Sequence, residues 1–360
     1  MARILVGMSG GVDSSVSAAL LAAQGEEPVG VWMRLNEPSE VYCDYERSCC
    51  TMDAAEDARR VAGQIGIPFY ILNLEREFLT AVIDPFLAGY RAGRTPNPCI
   101  ACNQVIKFEV LLAQARALYG CEAVATGHYA RITQSPDGRY QLRRGRDGNK
   151  DQSYFLYSLT QAQLPYVRFP LGELTKPQVR ELARDFGLVT AEKSESQEIC
   201  FVPGGDYRAV LAQLTDWQPT EGALLDYDGR QVGTHQGTAN FTIGQRKGLG
   251  VALGEPRFVW QLEPASNVVR LGRRADLDAT SFMIDQLILS TDVPGENYRP
   301  LSFEATVQIR YRATPVAARI TAQGEDRWSV ETASAVWAPT PGQAAVFYQD
   351  DLVLGGGLIL

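Results

Sequence analysis

Apolar residues recur along the first third of the chain in two alternating patterns, short runs and helix-spaced positions. Residues 3–6 form a strand-type run that ends at Gly7. Val12, Val16, Ala19, Leu20 and Ala23 then fall at i, i+4, i+7, i+8 and i+11, the spacing of one helix face. Pro28 precedes a second run over 29–33. Residues 53–65 follow a helical pattern that closes at Gly66, with Pro68 beyond it. Residues 69–72 and 122–126 predict a third and fourth strand, the latter entered from a helix around 105–118. Such alternation predicts an α/β domain with a parallel sheet covered on both faces, and ligands bound at the carboxyl ends of its strands. After about residue 205 helical patterns give way to short runs and turns, as at 227–230 and the glycine-rich 244–254. Strand runs at 307–311, 317–321, 328–331, 344–348 and 352–354 predict a small β-barrel or sandwich at the C-terminus.

At 360 residues the chain exceeds one ordinary core, so two or three domains are expected. No apolar run approaches the roughly 20 residues that span a bilayer. The first residues lead straight into a strand without a charged-then-apolar leader, so no membrane partner is expected and the location read is cytoplasmic. Seven cysteines, several of them clustered, point in a reducing compartment to thiol chemistry or metal binding rather than a disulfide framework. A net charge of -8 counts against non-specific nucleic-acid binding. Two basic groups qualify this: Arg131, Arg139, Arg143, Arg144, Arg146 and Lys150 lie close together, and Arg310 and Arg312 flank Tyr311 in a run read as a strand. A solvated face is the bland alternative for both.

The chemically loaded segment is Ser9-Gly10-Gly11-Val12-Asp13-Ser14-Ser15, between the first strand and the first helix. Glycines let the backbone turn sharply and approach an anion, while the helix start supplies N–H groups and its dipole. The three serines add hydroxyl donors. No GxxxxGK[ST] run is present here, so the lysine of the common ATPase loop is missing.

This loop resembles the PP-loop of ATP pyrophosphatases (adenine nucleotide alpha hydrolase-like), which split ATP between the α- and β-phosphates. Further runs narrow the resemblance: 93–103 (GRTPNPCIACN), 125–129 (ATGHY), 149–156 (NKDQSYFL), 194–200 (SESQEIC) and 241–248 (FTIGQRKG). Together they are similar to the tRNA-specific 2-thiouridylase (MnmA/TrmU) family. That resemblance implies a PP-loop catalytic domain over 1–204, a small central domain over 205–278 and a C-terminal β-barrel that binds tRNA over 279–360. It implies ATP-dependent 2-thiolation of uridine at the wobble position of tRNA, by adenylation of the C2 oxygen and sulfur transfer from a cysteine persulfide. ATP would contact Gly7, Met8, Ser9, Gly10, Gly11, Val12, Asp13, Ser14, Met33 and Gly127, with Asp13 among the catalytic residues. Asn97, Pro98 and Cys99 would line the pocket for the base. His128, Lys150, Asp151, Gln152, Arg310, Tyr311 and Gln343 would touch tRNA. Cys102 would be the nucleophile and Cys200 the persulfide carrier. Mg²⁺ would accompany ATP, and a cysteine desulfurase or sulfur-relay protein would supply sulfur.

These residue types suit that chemistry. The C2 carbonyl of uracil is amide-like, and adenylation converts its oxygen into AMP, a good leaving group. Thiolates attack sulfur readily when their pKa is near ambient pH, and Lys107 or a helix start can lower it at Cys102. Cys121, before a buried strand, reads as an inert core thiol, and His235 as structural. One departure matters: some family members have a carboxylate where this chain has Cys99. Cys99, Cys102 and Cys200 then leave a second mechanism open, an iron–sulfur cluster or, behind it, a zinc site. Cys43, Cys49 and Cys50 form another group. Two rival readings stand beside the thiolase: a small-molecule PP-loop ligase of argininosuccinate or GMP synthetase type, and a non-catalytic tRNA-binding protein. The ligase needs no reactive thiols, and the binding protein has no use for an intact nucleotide loop.

Overall fold

The computed structural model describes residues 1–35, 52–194, 199–202, 206–214, 218–290, 301–324 and 326–360. Cys43, Cys49 and Cys50, and positions 195–198 of the 194–200 run, lie outside them. The chain groups into two compact units. The first holds Met1–Val82, Pro98–Asp206 and Asp351–Val353, and the second Ile83–Asn97, Tyr207–Asp350 and Leu354–Leu360.

Strands of the first unit are β1 (Arg3–Gly7), β2 (Glu27–Arg34), β3 (Phe69–Asn73), β4 (Ala123–Ala125), β5 (Ala130–Gln134), β6 (Tyr140–Arg144) and β7 (Val167–Arg168). Its main helices are α1 (Val12–Ala23), α2 (Met52–Ile65), α3 (Leu111–Tyr119) and α4 (Lys176–Asp185). Five strands form the expected parallel sheet in the order β3-β2-β1-β4-β7. Alternation along β1 loads both faces. Ile4 and Val6 pack with Val16 of α1, Val61 of α2 and Val179 of α4. Leu5, with Val29, Val31 and Val124, meets Leu111, Leu112 and Ala115 of α3. Burying each large aliphatic side chain is worth about 1.5–3 kcal/mol, which holds helices to both sides of the sheet. From β1 the chain builds outward through β2 to β3, then returns to β4 on the other side of β1. The carboxyl ends of β1 and β4 therefore bracket the switch point where doubly wound sheets bind ligands.

The helix expected around 105–118 starts earlier and is not uniform. Pro98–Ala101 is a helical turn, Cys102–Val110 is π-helical, and α3 completes the run. Leu111 donates its N–H to the Ile106 carbonyl, five residues back.

The basic stretch 131–150 takes a form that its charge did not announce. β5 and β6 make an antiparallel hairpin. Arg131 and Arg143 both bind Asp351, each at 2.5 Å, and Arg144 binds Asp151 at 2.9 Å. These three guanidiniums are thus ion-paired inside the unit, which lowers the positive charge the stretch presents.

In the second unit β8 (Gly222–Leu225), β9 (Gln231–His235), β10 (Phe258–Glu263) and β11 (Val268–Gly272) form one sheet, ordered β10-β11-β8-β9. Leu224, Phe241, Val259, Val269 and Leu271 make its core. Six further strands are β12 (Asp278–Leu289), β13 (Ser302–Gln308), β14 (Val316–Gly324), β15 (Arg327–Trp337), β16 (Ala344–Gln349) and β17 (Leu352–Ile359). They run β12-β15-β14-β13-β16-β17, and β17 pairs again with β12, so the C-terminal part is a closed antiparallel barrel rather than a sandwich. One expectation is corrected here. Arg310, Tyr311 and Arg312 are not in a strand: β13 stops at Gln308, Ala313 N–H bonds the Arg310 carbonyl at 3.0 Å, and Arg312 has φ +66°. A left-handed residue breaks the pleat, so the three side chains stand on a turn. Residues 83–97 group with the second unit, where Tyr90 stacks on Tyr207 at 4.1 Å. Among the described residues no helix is long and apolar enough to cross a membrane.

Candidate functional site

The loop after β1 is shaped by its glycines and tied by its serines. Gly10 has φ +70°, and a Cβ there would lie 2.1 Å from the Ala54 carbonyl oxygen, so only glycine lets the loop turn against α2. Gly11 caps α1 without a side-chain bond, so no cap side chain covers the start of this twelve-residue helix, the kind of end that suits an anion. Ser14 Oγ accepts the Ser9 N–H at 3.1 Å and donates to the Gly11 carbonyl at 3.1 Å. Ser15, expected as a third hydroxyl donor, is instead fully buried and bonded to the Gly11 carbonyl at 2.9 Å.

Gly7, Met8, Ser9, Asp13 and Ser14 form one wall of a cavity of about 310 Å³. Trp32 and Met33 from β2 and Thr126, Gly127 and His128 from the loop after β4 continue the wall. The same cavity is lined by Pro98, Cys99, Cys102, Lys107, Gln152 and Cys200. The loop and three thiols distant in sequence therefore share one space.

Each thiol has a distinct setting. Cys99 is exposed, Cys102 is buried and Cys200 is half-buried; all are thiols here rather than a disulfide. Cys102 opens the π-helical stretch. Cys200 sits on the turn closed by the Val202 N–H to the Ile199 carbonyl at 2.9 Å, and the neighbouring Phe201 ring packs edge-on against Phe78 at 5.6 Å. Lys107 reaches the wall from the same π-helical stretch, and its Nζ donates to Asn103 Oδ1 at 2.8 Å. Asn103 in turn donates to the Phe155 carbonyl at 3.0 Å. Cys121 belongs to the sheet's core, where burial pushes its thiol pKa up. Among the described residues no three His, Cys, Asp or Glu side chains come together as a metal site.

His128 packs against Phe108 and Phe169, at 6.2 and 5.9 Å, which also meet each other at 5.9 Å, and its Nδ1 lies 2.7 Å from Thr126 Oγ1. Burial first, and the Lys107 charge second, push its pKa well below the usual 6.5, so the imidazole is neutral. The unfolded chain then takes this proton more readily than the folded one. Stability present above about pH 6.5 is lost as pH falls toward the folded value. In thermal unfolding, the parent should lose ground to His128→Gln below about pH 6.5, with a constant gap above about pH 7. Parallel curves from pH 5 to 8, roughly the imidazole range, would refute this.

The other sequence-derived site residues fall in several settings. Val12 is buried in the core with α2. Gln152 accepts the Tyr129 N–H at 3.0 Å and reaches the cavity. Asp151 is buried, and its carboxylate accepts Arg144, the Gly145 and Ser153 N–H groups and the Ser153 hydroxyl. It orders this loop from within rather than facing solvent. Lys150 is half-buried, with its N–H on the Asp147 carbonyl at 2.9 Å. Asn97, Arg310, Tyr311 and Gln343 belong to the second unit. There Gln343 donates to the Thr95 carbonyl at 2.5 Å, and Arg310 donates to Ala338 O and Thr340 Oγ1 with its guanidinium 5.1 Å from the Trp337 ring. Sequence reasoning missed Trp32, Phe78, Ile199 and Phe201 as lining residues, because their apolar character signals only core.

Three family profiles match in succession: a tRNA methyl transferase HUP domain over residues 2–204, a tRNA methyl transferase PRC-barrel domain over 210–273 and an aminomethyltransferase beta-barrel domain over 291–359. Curated relatives match from end to end and are each described as tRNA-specific 2-thiouridylase MnmA. One from Chloroflexus aurantiacus is 48% identical over 359 residues, spanning 100% of this chain and 98% of its own. One from Carboxydothermus hydrogenoformans is 49% identical over 361 residues, spanning 99% and 97%. One from Geotalea uraniireducens is 46% identical over 360 residues, spanning 99% and 94%. At that identity along the whole length, the chain belongs to the tRNA-specific 2-thiouridylase family.

Proposed function

We propose that this chain is an ATP-dependent tRNA-uridine 2-sulfurtransferase acting at the wobble position. The observation that carries this reading is the shared cavity: a phosphate-type loop at the sheet's switch point and the thiols of Cys102 and Cys200 line one space. ATP would lie on the loop with its phosphates at the start of α1 and its base toward Trp32 and Met33. The uridine, extruded from its stack, would enter beside Asn97, Pro98 and Cys99. Its C2 oxygen attacks the α-phosphorus and pyrophosphate leaves. Mg²⁺, when bound, offsets charge on the phosphates, and Asp13 is the carboxylate of the loop that would face it.

The terminal sulfur of a Cys200 persulfide then attacks C2 and AMP departs with the former oxygen. Cys102, as thiolate, attacks the Cys200 sulfur. The S–S bond to the base breaks, the new sulfur stays on the base, and a Cys102–Cys200 disulfide remains for reduction. Lys107 lines the same cavity as both thiols. A step of this kind suits a reducing compartment, which favours the cytoplasm, and a cysteine desulfurase or relay protein as sulfur source. The parts 1–204, 205–278 and 279–360 would serve as catalytic domain, small central domain and tRNA-binding barrel. Arg310, Tyr311 and Gln343 would meet tRNA from the last of these, and His128, Lys150 and Gln152 from the first, with Asp151 shaping their loop.

The deciding experiment incubates the protein with Mg-ATP, a sulfide source and unmodified tRNA. Digested tRNA should contain 2-thiouridine by mass, with AMP and pyrophosphate as the nucleotide products. ADP and free phosphate, or unmodified tRNA, would overturn the reading.

A further inference from the structure

Asp13 belongs to the nucleotide loop, yet its carboxylate is held from outside it. Lys176 Nζ lies 2.7 Å from Asp13 Oδ1 and 2.8 Å from Oδ2, and the Tyr129 hydroxyl donates to Oδ1 at 2.7 Å. Lys176 is only 8% exposed and comes from 163 residues further along the chain. It opens α4 directly after a Thr175–Gln178 capping box, and its own N–H donates to Asp147 Oδ2 at 2.9 Å. Its ammonium also lies 5.9 Å from the Tyr129 ring. Asp13 lines the cavity and Lys176 does not, so the ammonium backs the carboxylate rather than facing the space in front of it.

That arrangement answers an electrostatic difficulty. The loop is read as taking a polyphosphate, but it carries an acid in the first turn of α1 and no lysine of its own. An uncompensated carboxylate at that position repels the phosphate chain and competes with it for the helix N-terminus. A buried ammonium in bidentate contact removes that repulsion and fixes the carboxylate's direction.

We propose that Lys176 is a positioning residue for nucleotide binding, supplying from α4 the positive charge that the loop lacks, by neutralising and aiming Asp13. The proposal rests on the ATP reading above. It differs from a simple stabilising ion pair in one respect: its effect is confined to ligands that carry phosphate.

The test measures ATP and adenosine binding to the full chain by equilibrium dialysis, in EDTA so that no metal engages Asp13. Lys176→Met should weaken ATP binding by about tenfold or more while adenosine stays within about twofold. Asp13→Asn, which leaves the ammonium without its carboxylate, should tighten ATP binding severalfold and leave adenosine alone. Asp13→Asn with Lys176→Met should return ATP affinity to within about threefold of the parent. Should Lys176→Met not fold, the Asp13→Asn result still decides, since a purely structural pair gives no phosphate-selective gain. Equal losses for ATP and adenosine, or no tightening in Asp13→Asn, would overturn the proposal. A double variant that stays weak for ATP alone would do so too, by making Lys176 a direct phosphate ligand. A parent that binds neither ligand would instead overturn the nucleotide reading itself.

Discussion

Serine at Cys102 or at Cys200 should abolish sulfur transfer, a loss of more than about a hundredfold, while ATP binding should stay near the parental value. Both thiols line the cavity with the loop, yet neither belongs to it, so their chemistry is separable from nucleotide binding. Cys102 is 8% exposed, and the smaller serine oxygen fits its space without a clash. The measurement pairs 2-thiouridine quantified by mass with ATP binding on the same preparations. Either variant retaining a tenth of parental thiolation, roughly 1.4 kcal/mol of barrier, would remove that cysteine from the mechanism. Cys99 separates the relay from a cluster. Exposed at the cavity, it should tolerate Cys99→Asp with most activity kept, and protein stripped of iron and zinc by a chelator should remain fully active once supplied with Mg-ATP. Activity appearing only after reconstitution with iron and sulfide would reverse that conclusion.

Gly127→Ala should remove most ATP affinity, by at least about tenfold, without unfolding the protein. A Cβ at Gly127 would lie 2.8 Å from the Asp13 carbonyl carbon and from the Ser14 nitrogen, and 3.0 Å from Asp13 Cβ. The first two are main-chain atoms of α1's first turn, so relief requires moving the loop itself rather than a flexible side chain. That displacement would turn the N–H groups of the helix start away from the phosphates. Gly63→Ala in α2, where a Cβ meets nothing within 4 Å, is the control and should bind as the parent does. Dialysis with ATP reports affinity, and thermal unfolding separates a shifted loop from a lost fold. Parental affinity in Gly127→Ala would mean that the loop after β4 does not set the geometry of the nucleotide loop.

What the sequence revealed was local. The SGGVDSS run, the strand–helix alternation and the late strand runs each lie within a window short enough for periodicity and turn chemistry to act on neighbours. What it concealed was brought together by topology. Lys176 gives no sign of its partner Asp13, and Arg131 and Arg143 read as free positive charge because Asp351 is more than 200 residues away. The turn at Arg310–Arg312 was concealed for another reason. Tyr and Arg are acceptable in strands, and a left-handed arginine carries no residue signature of the kind glycine does. The cavity followed the same division: its glycines and cysteines were legible as motifs, whereas Trp32, Phe78 and Phe201 were legible only as apolar.

The π-helical stretch Cys102–Val110 bears on how this segment tolerates insertion and deletion. A π-type stretch amounts to an α-helix carrying extra residue, and removing one residue lets the ladder return to tighter α-type bonds. Leu111, Leu112 and Ala115 are anchored under the sheet, so the adjustment falls on the N-terminal side, where each residue of slip turns a helix by about 100°. Cys102 would then leave the cavity while the backbone became more regular. A one-residue deletion between 103 and 106 would therefore gain helix regularity and leave a folded chain with Cys102 turned away from the cavity it lines.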